Sequence, residues 1–247
     1  MRDQPAQQPP PAQKLRIRYA KRGRLRFTSH RDFGRAFERA IRRADLPIAY
    51  SSGYSPHPRI SYANASPTGA SSEAEYLEIG MVRRCDPAAI RHALDAALPD
   101  GLDILDVVIA GSGSLADRLE AGRWQVELTG VELAKVSQAV DEFLATDAVE
   151  VERMTKRGMR SFDCRAAVVS LSARMTHTEA GECVILELVV RHGTPAVRPD
   201  DILAGLREIA GLVVSAPPHL VRLAQGPLDP ESGSVGDPFS PDRDATA

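Results

Sequence analysis

Cysteine is scarce in this chain: Cys85, Cys164 and Cys183 are all it has in 247 residues. Their spacing contains no CxxC pair and no CxxxCxxC run. That argues against a disulfide framework, a structural zinc and an iron–sulfur cluster, so no metal site is expected. Scattered thiols fit a reducing compartment, and the expectation is a cytoplasmic protein. No apolar run approaches the ~18 residues of a membrane span. The opening Met1–Gln13 is polar and rich in Pro and Gln, without the apolar core of a secretory signal. A Gly-rich phosphate loop behind a strand, a GxSxG elbow and an HExxH pair are all missing, which disfavours nucleotide hydrolysis, that type of serine chemistry and zinc proteolysis. No cofactor is expected.

Net charge is also small, −2 at pH 7, but the average hides a segregation. From Lys14 to Arg59 thirteen Lys and Arg face three acids, Asp32, Glu38 and Asp45, a local +10; the rest of the chain carries −12. Opposite signs held in separate segments create a strong local field. A basic face on an otherwise acidic protein attracts phosphates while the remainder discourages unspecific sticking. An ordinary salt-bridged surface is the competing account of the same run.

Hydrophobic patterning gives the organisation. Residues 1–13 and 227–247 read as disordered tails, polar and without periodicity. Leu15, Ile17 and Tyr19 alternate with Arg16 and Arg18, which predicts a half-buried strand with a basic outer face. Lys21-Arg22-Gly23-Arg24 reads as a turn, and Leu25 and Phe27 alternating with Arg24 and Arg26 as a short second strand. Ser29 with Asp32 three residues on is an N-cap signature. Behind it Phe33, Ala36, Phe37, Ala40, Ile41 and Ala44 form an apolar helical stripe. Strands are predicted at 60–63, 74–82 and 102–110, and a helix from Pro87 to Leu98. Gly111 to Gly122 reads as a linker. A second unit then follows over 123–226, with strands near 124–128, 149–154, 166–171 and 183–190, helices near 131–144 and 199–211, and a last strand starting at Val213 and Val214. Lys156-Arg157-Gly158 with Phe162 echoes Lys21-Arg22-Gly23 with Phe27. The fold class is α+β, with lobes over 14–110 and 123–226 whose element order is compatible with two ferredoxin-like, split βαβ arrangements.

Candidate site residues come from the basic segment. Arg31, Arg35, Arg39 and Arg42 fall opposite the apolar stripe, and Arg31, Arg35 and Arg42 lie within about 40° of one another. Like charges that close repel by a few tenths of a kcal/mol per pair, so a row with few partners invites an external anion. The loop Ser51-Ser52-Gly53-Tyr54-Ser55-Pro56-His57-Pro58-Arg59 is stiffened by its prolines and presents Tyr54, His57 and Arg59 together. An aromatic, an imidazole and a guanidinium suit stacking on unpaired bases with phosphate contact. With Arg16, Arg18, Arg24 and Arg26 these are the expected nucleic-acid-binding residues. His30, at a helix start, is the catalytic candidate: with Arg26 or Arg59 it has the chemistry for metal-independent acid–base work on a phosphodiester. A capping or packing histidine is the plainer account. Asp163 and Arg165, flanking Cys164, read as an edge-strand salt bridge.

Leu25-Arg26-Phe27-Thr28-Ser29-His30-Arg31-Asp32, the run Arg35 to Ala44, Leu46 to Ser51 and Gly53 to Ser61 together resemble the uncharacterised radical-SAM-linked protein family. Its domain stands alone or is fused behind a radical S-adenosylmethionine enzyme. The resemblance spans most of 14–110 and is looser beyond. Arg31 stands where a hydrophobic residue is usual, and Tyr54-Ser55 where Phe-Asn is common. The resemblance implies an accessory to a separate radical SAM protein; lacking the three-cysteine motif, this chain is not read as the radical enzyme. The expected function is an RNA-binding accessory presenting tRNA or rRNA to that enzyme. An RNA-processing enzyme using His30 and a protein-interaction subunit of a radical SAM complex are the alternatives.

Overall fold

The computed structural model describes residues 7–155, 158–178 and 181–245. It is a mixed α and β structure whose registered strand pairs are antiparallel. The chain divides into two compact units, Met1–Arg118 with Pro238–Ala247, and Leu119–Asp237.

The first unit runs β1 (Gln13–Lys21), α1 (His30–Arg43), β2 (Ile60–Ala63), β3 (Ser71–Met81), α2 (Pro87–Ala97) and β4 (Ile104–Ile109). Leu15 of β1 pairs with Ile79 of β3 on one side and Ile109 of β4 on the other, and β2 lines the far edge of β3 through Ile60 and Ile79. The order is therefore β4-β1-β3-β2. Leu15, Ile17 and Tyr19 of β1 and Leu77, Ile79 and Met81 of β3 meet Phe33, Phe37 and Ile41 of α1 and Ile90 and Leu94 of α2. Each such side chain contributes about 1.5–3 kcal/mol on burial. Tyr19 stacks on Phe33 at 4.3 Å between ring centroids. Both helices start as the sequence predicts. The Ser29 hydroxyl accepts the Asp32 amide at 3.2 Å and donates to the Asp32 carboxylate at 2.7 Å. Asp86 accepts the Ala88 and Ala89 amides ahead of Pro87.

The second unit runs β5 (Ala121–Leu128), α3 (Leu133–Ala145), β6 (Glu150–Thr155), β7 (Gly158–Asp163), β8 (Val168–Thr178), β9 (Gly181–Arg191), α4 (Pro199–Ala210) and β10 (His219–Gly226). Its sheet is ordered β10-β5-β9-β8, and β6 and β7 pair as a separate hairpin. Without that hairpin both units follow one path: strand, helix, two strands, helix, strand, with the fourth strand beside the first and the third between first and second. Gly205 of α4 is where the helix closes on its neighbours: a Cβ there would stand 2.9 Å from the Phe143 ring, 3.0 Å from Cys164 Sγ and 3.1 Å from Val149. Burial, then the negative charges of Asp163 and Asp201, push the Cys164 thiol up to about 12, so it is an inert packing group.

Several expectations are corrected. Residues 23–27 form a 3₁₀ turn, not a strand; four alternating residues fit either. The last strand is His219–Gly226, and Val213 is 71% exposed. β7 was not predicted. Of the echoed Lys-Arg-Gly turns, the first ends β1 at Lys21 and opens the 3₁₀ turn at Gly23, whereas Gly158 opens β7; Lys156 and Arg157 lie outside the described residues. The tail predicted over 1–13 joins the sheet from Ala12, whose amide bonds the Met81 carbonyl at 2.9 Å. The tail predicted over 227–247 carries buried structure instead. Leu228 bridges Val235, and α5 (Ser240–Asp244) belongs to the first unit.

That last segment also corrects the basic outer face of β1. Arg16 is 1% exposed and Asp242 likewise 1%. Arg16 donates through Nη1 to both oxygens of Asp242, at 2.6 and 2.9 Å, and through Nε to Glu78 at 3.2 Å. Arg118 Nη1 and the Gly111 amide each donate to Asp242 at 2.9 Å. Phe239, fully buried, packs edge-on to Tyr76 at 5.2 Å between centroids. The strand alternates as predicted, but its second face is covered.

Burial works against the Asp242 charge, and the hydrogen bonds from Arg16, Arg118 and Gly111 outweigh it, holding the carboxyl below its usual range. Its contribution is full above the unfolded carboxyl value of about 3.9 and drains as pH falls through the lower folded value. Replacing Asp242 by Ala leaves the buried Arg16 guanidinium with Glu78 as its one carboxylate partner among those described, so urea unfolding at neutral pH is expected to lose about 3–5 kcal/mol; a loss under about 1 kcal/mol contradicts the pairing. Gly205→Ala is expected to cost about 1–3 kcal/mol by overpacking, read in the same titration.

Candidate nucleic-acid interface

The exposed face of α1 is set by its buried one. Phe33, Phe37, Ala40 and Ile41 turn into the core, and Arg31, Arg35, Arg39 and Arg42 stand in solvent. Arg35 reaches Asp32 only at 3.7 Å and Arg42 reaches Glu38 only at 3.9 Å, with all four side chains well exposed. Such pairs contribute about 0–1 kcal/mol and leave the guanidinium donors largely to water. Among the described residues Arg24, Arg31 and Arg39 make no ion pair.

The remaining arginines of the basic segment are placed differently. Arg16 is removed from the candidate surface: it is buried and saturated by Asp242 and Glu78. Arg18 is half-buried and donates to the Glu73 carbonyl at 2.8 Å. Arg22 is claimed by Glu73 and by Asp103, the latter at 2.7 Å; the Glu73 hydrogen bond raises its already high pKa. Arg26 lies over the Phe27 ring at 4.5 Å to the centroid. Arg59 donates to the Tyr50 carbonyl at 3.1 Å.

The Pro-His-Pro loop is closed as its composition implies. The Ser51 amide bonds the His57 carbonyl at 2.8 Å, the His57 amide bonds the Ser51 hydroxyl at 3.0 Å, and Tyr50 bridges Pro58. Tyr54 is 72% exposed and His57 is exposed. The Ala49 and Gly80 hydrogen bonds attach this loop to the end of the sheet where Met81 and Gln13 pair. That is the end toward which α1 runs. The 3₁₀ turn with Arg24 and Arg26 adjoins the start of α1, so turn and loop lie at opposite ends of the helix.

His30 is the first residue of α1, exposed, with its ring edge-on to Tyr62 at 4.7 Å between centroids. Tyr62 lies across the helix at Gly34, where a Cβ would come 3.3 Å from its hydroxyl. Burial, then the charge of Glu38, push the Tyr62 phenol up to about 12. The contact that fixes His30 is thus an aromatic edge and not a carboxylate, whereas a general base is normally oriented by a hydrogen-bonding third group. Sequence reasoning missed both Tyr62 and the exposure of Phe27. Gly34 inside the apolar stripe is the signal for the first.

In the second unit Asp163 and Arg165 do not form the expected salt bridge. Asp163 accepts the Val149 and Arg165 amides at 2.9 Å, and Arg165 donates to the Val168 and Leu144 carbonyls. Among the described residues no group of three or more His, Cys, Asp or Glu is placed to hold a metal ion, and no helix is long and apolar enough to cross a membrane.

Residues 14–199 match the family model described as "Uncharacterized protein conserved in bacteria (DUF2344)". No curated protein matches. Among solved structures, a Cbf5-Nop10-Gar1 complex overlaps at TM-score 0.39 and 14% identity, over 85% of this chain and 48% of that one. The chain therefore spans about half the length of that neighbour. An unknown protein from Galdieria sulphuraria gives TM-score 0.24 and 16% identity, over 85% and 98% of the two chains. A dyp-type peroxidase protein from Shewanella oneidensis, putative by its own description, gives 0.22 and 7%, over 85% and 89%. Overlaps this loose do not bear on function.

Because the α1 arginines hold little of the fold together, Arg35→Ala and Arg39→Ala are each expected to change unfolding free energy by no more than about 0.5 kcal/mol in urea titrations. A loss above about 1.5 kcal/mol would mean that they serve stability.

Proposed function

We propose that this chain, which belongs to the bacterial family DUF2344, is an RNA-binding accessory protein that presents RNA, of the tRNA or rRNA class, to a separate radical SAM modifying enzyme. One observation carries the RNA half of this reading: four arginines share the solvent face of α1, and among the described residues the carboxylates paired with them stand 3.7 and 3.9 Å away in water. The enzyme half rests on the likeness of residues 25–61 to the radical-SAM-linked family. The common strand order of the two units supports reading each as a ferredoxin-like lobe, and three free cysteines support a cytoplasmic setting. Arg24, Arg26, Arg31, Arg35, Arg39 and Arg42 supply phosphate contacts, and Tyr54, His57 and Arg59 add a rigid loop at the other end of the helix. His30 is a binding residue on this reading.

Phosphate contacts make affinity fall with salt, by a log–log slope of about 0.7 per contact for single strands and 0.9 for duplex DNA. Titrating purified protein into labelled tRNA at several salt concentrations is expected to give a steep slope. Arg35→Glu and Arg39→Glu are each expected to reduce that slope by about 1 and to weaken binding roughly tenfold or more. Equal binding by both variants at moderate salt would remove the RNA half. Nuclease-treated co-purification separates the other arrangement: a radical SAM partner retained by protein that binds no RNA would mark an interaction subunit. His30-dependent cleavage of total RNA under EDTA would mark an enzyme.

A further inference from the structure

Phe27 is 59% exposed, although it sits in a turn anchored by three backbone hydrogen bonds. The Leu25 amide bonds the Arg22 carbonyl at 3.0 Å, the Thr28 amide bonds the Leu25 carbonyl at 2.9 Å, and the Gly69 amide bonds the Arg26 carbonyl at 2.8 Å. Leu25 packs into the core. With Leu25 turned inward, the 3₁₀ period of three puts Arg24 and Phe27 on a common outer side. The Arg26 guanidinium lies over the Phe27 ring at 4.5 Å to its centroid, and Gly69, at φ +98°, leaves 3.9 Å between a Cβ there and Phe27 Cε1. An aromatic face is thus held out to solvent on a rigid turn, among guanidinium groups, three residues before the start of the helix that carries the arginine row.

We propose that Phe27 is a stacking platform for one unpaired base of a single-stranded RNA segment, with Arg24 and Arg31 taking the flanking phosphates. This deepens the RNA reading above and rests on it. Aromatic faces accept any base, and cations beside them add to the contact. Bases inside an A-form duplex keep their faces stacked on one another, so the platform selects unpaired nucleotides. At the start of α1 the Ser29 hydroxyl already takes the Asp32 amide, and the Asp32 carboxylate beside it disfavours an anion. The phosphate contacts therefore fall to side chains.

The test compares a labelled short oligoadenylate with a blunt RNA duplex of the same length, by anisotropy at fixed salt. Phe27→Ala is expected to weaken the oligoadenylate by about 5- to 100-fold and the duplex by less than about twofold, and Phe27→Trp to retain the wild-type preference. An unchanged melting temperature confirms that Phe27→Ala stays folded. If Phe27→Ala weakens both probes equally or neither, while Arg35→Glu weakens both, the stacking platform is refuted and the RNA reading stands. If Arg35→Glu leaves both probes bound as before, the two fall together.

Discussion

Whether a guanidinium faces a carboxylate of its own chain or faces water decides what the basic segment can do. The same stretch contains both kinds. Arg16 is enclosed with Asp242 and Glu78, and Arg22 is held by Glu73 and Asp103. These charges are spent on the fold. Arg31, Arg35, Arg39 and Arg42 lie on a helix whose other face is Phe33, Phe37, Ala40 and Ile41, so packing forces them outward together. Their nearest acids are too distant and too wet to neutralise them. The +10 read from composition is therefore an overestimate of the free charge, and what remains is concentrated on one helix.

The fold explains why the helix side is the open one. In the first unit the sheet has two faces. One is filled by α1 and α2; the other receives Phe239 against Tyr76 and Asp242 against Arg16. Single-stranded RNA is often read by aromatic residues on the open face of such four-stranded sheets. Here that face of the first unit is closed over Arg16 by a segment more than two hundred residues away in sequence. On the proposed reading, recognition passes to the outer side of α1, the 3₁₀ turn before it and the loop beyond it. Those elements are rigid for identifiable reasons: the Ser29 cap, the Leu25 anchor and the paired Ser51 and His57 backbones.

Local signals were legible where they are local in cause. A cap and a 3.6-residue stripe announce α1, Pro87 announces α2, alternation announces β1 and β3, and an apolar run announces β9. What failed was long-range. Alternation in β1 shows that Arg16 and Leu15 face opposite ways, but nothing near Arg16 says that its side is covered. The covering piece has few apolar residues, and Phe239 and Asp242 gain meaning only through Tyr76 and Arg16. The alternation over residues 24–27 is short enough to fit a strand or a 3₁₀ turn, and the strand reading hides the exposure of Phe27. The echoed Lys-Arg-Gly turns sit at different places in the two units, and the likeness between the units is in the order of their strands. Of the candidate surface, the helix row and the loop were legible; Tyr62 beneath His30 was not, since its partner on α1 is the missing side chain of Gly34.

The central claim is that cellular RNA lies on the outer side of α1, the 3₁₀ turn before it and the loop beyond it. Ultraviolet crosslinking in cells, followed by mass spectrometry of the RNA-linked peptides, measures that contact directly. The account predicts crosslinked peptides from residues 24–43 and 51–59. Crosslinks confined to residues 119–237, or none in protein that is expressed and folded, would contradict it.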